Sequence, residues 1–364
     1  MAGNSFGKHF KLMTFGESHG DSIGGIIDGL PAGLVVDLER IQEDLSRRRP
    51  GSSSITTPRK ESDNVKFLSG LIEKNGETIT LGTPIGFQIA NSDKKSSDYT
   101  HLEDTYRPSH ADYTYSSKYG IRDHRGGGRA SARETASRVV GGAFCKELIK
   151  STSSTEISAY VERVHDISIP SAPKFYSRSE VDASIVRCPI PEVSNRMEQR
   201  INNIKEEGDS VGGAIVVVAR NVEVGLGEPV FDKLNSDLAG ALMSIPAAKA
   251  IEIGSGLSGT LQKGSEHNDN FHTVGGEIKT ETNRSGGIQG GISNGEDIVI
   301  RVAFKPTSTI MKSQTSVDLD GNSIILDGVG RHDPCVLPRA VPIVEAMVAM
   351  VLADHHLRNK TAKL

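Results

Sequence analysis

Glycine placement constrains this chain more than any other feature. Its 364 residues include 39 glycines, with runs of two or three at 24–25, 126–128, 141–142, 212–213, 275–276, 286–287 and 290–291. Glycine loses more conformational entropy on folding than any other residue, so adjacent pairs are costly filler. The segments between them are varied and carry apolar periodicity, which argues against low-complexity sequence. The runs therefore read as tight turns and as loops that bring backbone close to backbone or to a ligand.

Between these runs, helical and extended patterns are mixed. Strands are predicted at 11–15, 24–27, 211–219, 250–253 and 298–304. Helices are predicted from an N-cap at Asp37 to Arg47-Arg48-Arg49, and at 131–150, 194–207, 232–245 and 341–357. The stretch 151–191 has the weakest pattern and reads as a variable or mobile excursion. The βαβ punctuation of a Rossmann fold is missing, and no composition break marks a linker. One domain, spanning 1–364, is the economical reading.

Charge is uneven. The net charge is −4, yet arginines 47, 48, 49, 59, 107, 122, 125, 129, 133 and 138 crowd one third of the chain. Converged, they make a positive pocket in an acidic shell, which suits a small polyanion better than a nucleic acid. No aromatic residue interleaves with the arginines of the 122–134 loop, so base stacking is unsupported there. Cys145, Cys188 and Cys335 stand far apart with no CxxC pair, so neither a metal site nor a disulfide framework is implied. No apolar leader precedes His19, and the apolar stretch 341–353 is too short to span a bilayer. A reduced, cytoplasmic location without membrane attachment is expected.

Five clusters carry chemistry-bearing residues. Gly16-Glu17-Ser18-His19-Gly20 satisfies the G-x-S-x-G elbow of serine hydrolases, but it lies at the start of the chain with no oxyanion segment before it. In Arg107-Pro108-Ser109-His110-Ala111-Asp112 a histidine stands among charges that can tune it near neutrality, or is simply satisfied by Asp112. Residues 122–134 place Gly126-Gly127-Gly128 and Arg122, Arg125, Arg129 and Arg133 at the start of a helix, an anion site or else a solvated basic loop. Lys305-Pro306-Thr307-Ser308-Thr309 suits a phosphate, and Arg331-His332-Asp333-Pro334-Cys335 is a catalytic pair or a turn. His355 and His356 read as helix-surface residues.

Taken together and in this order, these clusters resemble the chorismate synthase family. The likeness covers essentially the whole chain and includes Tyr119-Gly120-Ile121-Arg122-Asp123, Ser131-Ala132-Arg133-Glu134 and Gly286-Gly287-Ile288-Gln289-Gly290-Gly291. It implies an α+β fold, a β-α-β sandwich with a helical core between two antiparallel sheets, assembled as a homotetramer. It implies a lyase that catalyses anti 1,4-elimination of phosphate from 5-enolpyruvylshikimate 3-phosphate, giving chorismate and requiring reduced FMN. NADPH enters only as a reductant. His19 would protonate the leaving phosphate, His110 would act near the flavin, and Asp333 would help remove the C6 proton.

The same resemblance places substrate on Arg48, Arg107, Arg133 and Arg331. It places flavin near Arg129, Ala130, Ser131, Ala247, Gly290, Lys305, Pro306, Thr307, Ser308, Thr309 and Arg331. Three departures stand out. Ser54 replaces a common arginine, which weakens any dinucleotide role for Arg48 and Ser54 and shifts its charge to Arg59 or Lys60. Pro246 replaces an asparagine, and Ala130 replaces a serine.

Overall fold

A computed structural model describes residues 3–51, 55–56, 62–92, 102–328 and 333–364. Two five-stranded antiparallel sheets enclose a layer of helices. The first sheet orders β1 (Ser5–Phe6), β2 (Lys11–Phe15), β3 (Ser22–Asp28), β7 (Ile85–Ala90) and β4 (Val65–Phe67) side by side. The second orders β11 (Ala248–Ile253), β16 (Ile298–Phe304), β10 (Gly213–Arg220), β8 (Glu156–Val164) and β9 (Ile167–Ser168). Smaller hairpins join β5 (Leu71–Lys74) to β6 (Glu77–Thr80), β12 (Phe271–Val274) to β13 (Glu277–Thr280), β14 (Ile288–Gln289) to β15 (Ile292–Ser293), and β17 (Gln314–Val317) to β18 (Ser323–Leu326).

Helix α3 (Thr135–Thr152) rests on β2 and β3, and α8 (Leu337–Asn359) rests on β8 and β10. These two helices pack on each other, flanked by α1 (Leu38–Arg48) and α6 (Leu234–Met243). The shorter α2 (Asp112–Tyr119), α4 (Arg178–Asp182) and α7 (Gly264–His267), with α5 (Pro191–Glu206), lie outside this layer order. The α+β sandwich implied by the resemblance is the architecture observed. Among the described residues, no helix is long and apolar enough to cross a membrane.

Local chemistry explains the main elements. Asp37 caps α1 by accepting from the Arg40 N–H at 3.1 Å, and Ile41 and Leu45 bury its apolar stripe. Strand β10 is a run of small and β-branched residues, and Ala214 to Ala219 are all buried. Helix α8 is buried around most of its circumference between Leu337 and His356, as its mixed apolar surface predicts.

Two expectations are corrected. Residues 151–191 hold β8, a nine-residue strand paired between β10 and β9 in the second sheet, not a mobile excursion. Its alternation is masked because Ser158 and Glu162 are buried polar residues. His355 and His356 are buried, not on the helix surface, and they meet Asp237 at 2.9 Å and Glu223 at 2.5 Å. The helix predicted from 131 begins at Thr135, preceded by two 3₁₀ turns at Gly128–Ala130 and Ala132–Glu134.

The glycine pair 141–142 sits inside α3 and sets the helix–helix spacing. A Cβ on Gly142 would lie 2.3 Å from the Ala346 Cβ and 2.4 Å from its Cα. Mid-helix glycine costs about 1 kcal/mol relative to alanine, and close packing of α3 on α8 offsets it. Replacing Gly142 by Ala should destabilise the protein by roughly 1–3 kcal/mol, because backbone atoms of α8 must move. Gly240, exposed in α6 with nothing within 4 Å of a built Cβ, supplies the contrast. Its replacement by Ala should be neutral or stabilising by up to about 1 kcal/mol. Urea midpoints of both variants check the pair, and equal shifts would sink the packing argument.

Candidate functional site

A cavity of about 1330 Å³ opens where the end of α1, the 107–134 segment, the 305–309 loop and the start of α8 meet. Of the arginines expected to converge, Arg48, Arg107, Arg122, Arg129, Arg133 and Arg138 line it. Arg47 points away into a buried acidic network, Arg125 is exposed on Asp123, and Arg59 lies outside the described residues. Arg339, which sequence reasoning missed, joins the lining.

Behind two of these arginines, and not itself lining the cavity, is Asp63, which has no exposed surface. Its Oδ2 accepts from Arg48 Nη1 at 3.0 Å, and its Oδ1 pairs with Arg133 Nη1. Burial pushes the Asp63 carboxyl up, but the two guanidiniums together outweigh burial and hold it below the usual carboxylate range. Arg48 also donates to Thr135 Oγ1 at 3.2 Å and to the Ala132 carbonyl at 2.7 Å. Burial, with Arg339 and Arg133 nearby, pushes Arg48 down to about 10 against the pull of Asp63, so it stays charged at neutral pH.

Asn91 links this group to the 16–20 turn. Its side-chain amide donates to the carbonyls of Glu17 (3.0 Å) and Gly20 (2.8 Å), and its Oδ1 accepts from Arg133 Nε at 2.8 Å. His19, in that turn, is buried beneath Gly126 and does not itself line the cavity. Gly126 has φ of +104°, and a Cβ there would lie 2.6 Å from His19 Cδ2 and 2.9 Å from its Nε2. Only glycine satisfies both demands. Ser18 Oγ is buried with no hydrogen-bond partner among the described residues, so the base a serine hydrolase needs is not on it.

His110 occupies the opposite wall. Its Nδ1 lies 2.9 Å from the Pro108 carbonyl, which can only accept, so Nδ1 carries the proton. Its Nε2 lies 3.1 Å from Thr309 Oγ1 and in the neutral ring accepts from that hydroxyl. Burial first, then the positive Arg107 and Lys305, lower its pKa against the Pro108 carbonyl and Asp112, so the ring is neutral at pH 7. Arg107 grips Asp112 through Nε (2.8 Å) and Nη2 (2.7 Å), the bidentate form expected of a guanidinium. Asp112 thus serves Arg107 rather than His110.

The 305–309 loop is stitched to both sides. Lys305 N donates to the Ala247 carbonyl at 3.0 Å, its ammonium meets Ser308 Oγ, and Ser308 Oγ donates to the Ser109 carbonyl at 3.1 Å. Ala247 sits in the left-handed region with φ of +69°. Thr307 Oγ1 donates to the Asp333 carbonyl at 2.7 Å, and the Asp333 carboxylate pairs with Arg339. Arg129 donates to Thr14 Oγ1 (2.6 Å) and to the Gly16 carbonyl (3.1 Å).

Among the expected flavin contacts, Arg129, Ala130, Ser131, Ala247, Lys305, Pro306, Thr307, Ser308 and Thr309 all line the cavity. Gly290 turns between β14 and β15 and does not line it. Ser54, Lys60 and Arg331 lie outside the described residues. Asp63 and Asn91 escaped sequence reading because each is a lone polar residue whose side-chain partners are far away in the chain, and Arg339 because it looks like an ordinary first-turn residue of the last helix. Among the described residues, no group of three or more His, Cys, Asp or Glu is placed to hold a metal ion.

Residues 10–357 match the family model described as chorismate synthase. The chain is 57% identical over 364 residues to a chorismate synthase of Christiangramia forsetii, covering 100% of both. It is 58% identical over 360 residues to one from Synechococcus sp., covering 98% of each. A solved structure described as the crystal structure of chorismate synthase matches with a TM-score of 0.77 at 31% identity. The match covers 97% of this chain and 93% of that one.

Replacing Asp63 by Asn should destabilise the protein by about 3–5 kcal/mol, because two buried guanidiniums lose their counter-charge. The depressed Asp63 carboxyl contributes stability that is fully present above its unfolded pKa of about 4 and is lost as pH falls towards the folded value. Unfolding free energies measured from pH 6 to pH 3 should therefore drop in the parent protein and drop less steeply in the Asn variant. Parallel curves would overturn the assignment.

Proposed function

The chain belongs to the chorismate synthase family, lyases that eliminate phosphate from 5-enolpyruvylshikimate 3-phosphate to give chorismate, and we propose that the arginine-lined cavity is where this happens. One observation carries the proposal: Arg48, Arg107, His110, Arg133, Lys305 and Asp333, scattered over most of the sequence, line a single cavity. The substrate carries one phosphate and two carboxylates, and a cluster of fixed guanidiniums is the complementary surface. Arg48, Arg107 and Arg133 bind and orient these groups, and Arg331 joins them by the family pattern.

In the anti 1,4-elimination the C3–O bond breaks, a proton leaves C6, and the electron pair of the C6–H bond ends in the new diene. By the family pattern His19 is the proton donor to the departing phosphate; Gly126 separates it from the cavity, so that segment has to shift for the transfer. Asp333 takes up at its carboxylate the proton released from C6. His110, held neutral with its proton on Nδ1, would offer Nε2 to the flavin in place of the Thr309 hydroxyl it accepts from in this structure.

The cavity suits a flavin mononucleotide beside the substrate, since its volume exceeds the roughly 300–1,000 Å³ of ordinary ligand sites. Lys305 and the hydroxyls of Ser308 and Thr309 offer donors to a phosphate, while Pro246, Ala247 and Met347 offer an apolar wall for a ring. Reduced FMN, when bound, supplies an electron-rich ring and a nitrogen able to exchange a proton. The reaction has no net redox change, so NADPH has no place in it beyond reducing the flavin, and Ser54, lacking the charge of the common arginine, weakens a dinucleotide role further. The chain functions as one domain, assembles as a homotetramer and works in the cytoplasm, as the family pattern suggests.

Anaerobic incubation with the substrate and photoreduced FMN should release chorismate and phosphate in equal amounts, followed by absorbance and phosphate assay. Replacing His19, His110 or Asp333 by Ala should lower turnover by roughly 10²- to 10⁴-fold with the fold retained. Full activity in one of these variants removes that residue from the mechanism, and no turnover by folded, flavin-saturated parent protein sinks the proposal.

A further inference from the structure

We infer that Arg339 is a positioning residue for the elimination, fixing the Asp333 carboxylate in the cavity and tying it to the helix end that carries Arg48. The inference rests on the reading in which Asp333 takes up a proton.

Arg339 lies in the first turn of α8 and lines the cavity. Its Nη1 pairs with Asp333 Oδ2, and both side chains are only 11% exposed. A carboxylate has about four lone-pair sites, so a guanidinium on Oδ2 fixes its orientation without using up its capacity to accept a proton. The pair is partly shielded from water, where such an interaction is strongest.

Another edge of the same guanidinium does a second job. Arg339 Nε donates to the Arg48 carbonyl at 3.3 Å. That carbonyl closes α1, where the last carbonyls lack helical partners and the helix dipole is negative. The neighbouring Arg47 carbonyl is taken by Arg187 Nη2 at 2.6 Å. Arg187 Nη1 also donates to the Pro338 carbonyl, which inside α8 would otherwise pair with residue 342, a proline without an N–H. Arg187 therefore joins α1 to α8 by itself. Arg339 adds what Arg187 lacks, a direct contact with the proton-accepting group.

A purely structural Arg339 would lower stability without a selective effect on the chemical step. The test is steady-state kinetics of the flavin-saturated enzyme under anaerobic conditions, for Arg339→Gln, Arg339→Lys, Asp333→Asn and the double variant Arg339→Gln/Asp333→Asn. Arg339→Gln should lower kcat by roughly 10- to 100-fold, the scale of a misplaced reacting group, with KM changed less than about threefold. Arg339→Lys should recover part of that loss, since an ammonium keeps the charge but cannot span both partners.

In the Asp333→Asn background, adding Arg339→Gln should lower kcat by less than about threefold, because coupled residues are not additive. Parent-like kcat in a folded Arg339→Gln, or the same fold-loss in both backgrounds, overturns the inference and leaves the role of Asp333 standing. Parent-like turnover by Asp333→Asn instead sinks the role of Asp333 and the positioning inference with it. If Arg339→Gln does not fold, Arg339→Lys decides, with a kcat loss that vanishes in the Asp333→Asn background supporting the inference and parent-like kcat refuting it.

Discussion

Asp63 is fully buried, and each of its oxygens is taken by a guanidinium, Oδ2 by Arg48 and Oδ1 by Arg133. Two cations this close repel unless an anion lies between them, and a buried charge without a partner costs several kcal/mol. The site thus needs an internal carboxylate before it can present positive charge to a ligand. Around that carboxylate the chain brings together α1, the strand end at Ala90–Asn91, and the 3₁₀ turn at Ala132, each by a directed hydrogen bond. The turn bearing His19 follows, because Asn91 holds it to Arg133.

Adjacent residues at the end of α1 serve two separate tasks. Arg48 faces the cavity. Arg47 turns the other way and pairs with Glu345 at 2.7 Å and with Asp182 at 2.8 Å, while Lys146 reaches Asp44 and Glu345 at 2.8 and 2.9 Å. Burial raises the Glu345 carboxyl, but Arg47 and Lys146 outweigh it and hold it far below the usual range. This second ionic cluster locks α1, α3 and α8 together behind the site. The dipole of α1 explains cations in its last turn. Their divergence explains why both are arginines, since each needs several donors fixed in different directions.

Much of the site was legible in the sequence because its motifs are local. The glycine run 126–128 before a helix, Pro108 before His110 and the hydroxyls after Lys305 stand out since each residue's own backbone or nearest neighbours set its role. Strands β2 and β16 and the last helix were legible for the same reason, through periodicity. What escaped was non-local. Nothing in Ser62-Asp63-Asn64 says that two arginines 15 and 70 positions away will close on it. Strand β8 was hidden because Glu162 meets Arg301 across the sheet at 2.9 Å, a pairing that one segment cannot announce. His355 and His356 looked like surface residues because the carboxylates that pair with them, Asp237 and Glu223, lie more than a hundred residues earlier.

The donor count shows how such a scaffold can serve a ligand without being rebuilt. A guanidinium has five N–H donors. Arg48 commits its donors to Thr135, Asp63 and Ala132, and Arg133 commits its own to Asn91, Asp63 and Ala90. Three partners per arginine among the described residues fix the plane of each fork and leave donors for an incoming anion. A ligand oxygen then meets donors already oriented and partly desolvated, so their reorganisation cost is met in folding rather than at the reaction step. Lysine at either position would offer three rotatable donors on a flexible stem and would lose this fixed geometry even with the charge unchanged.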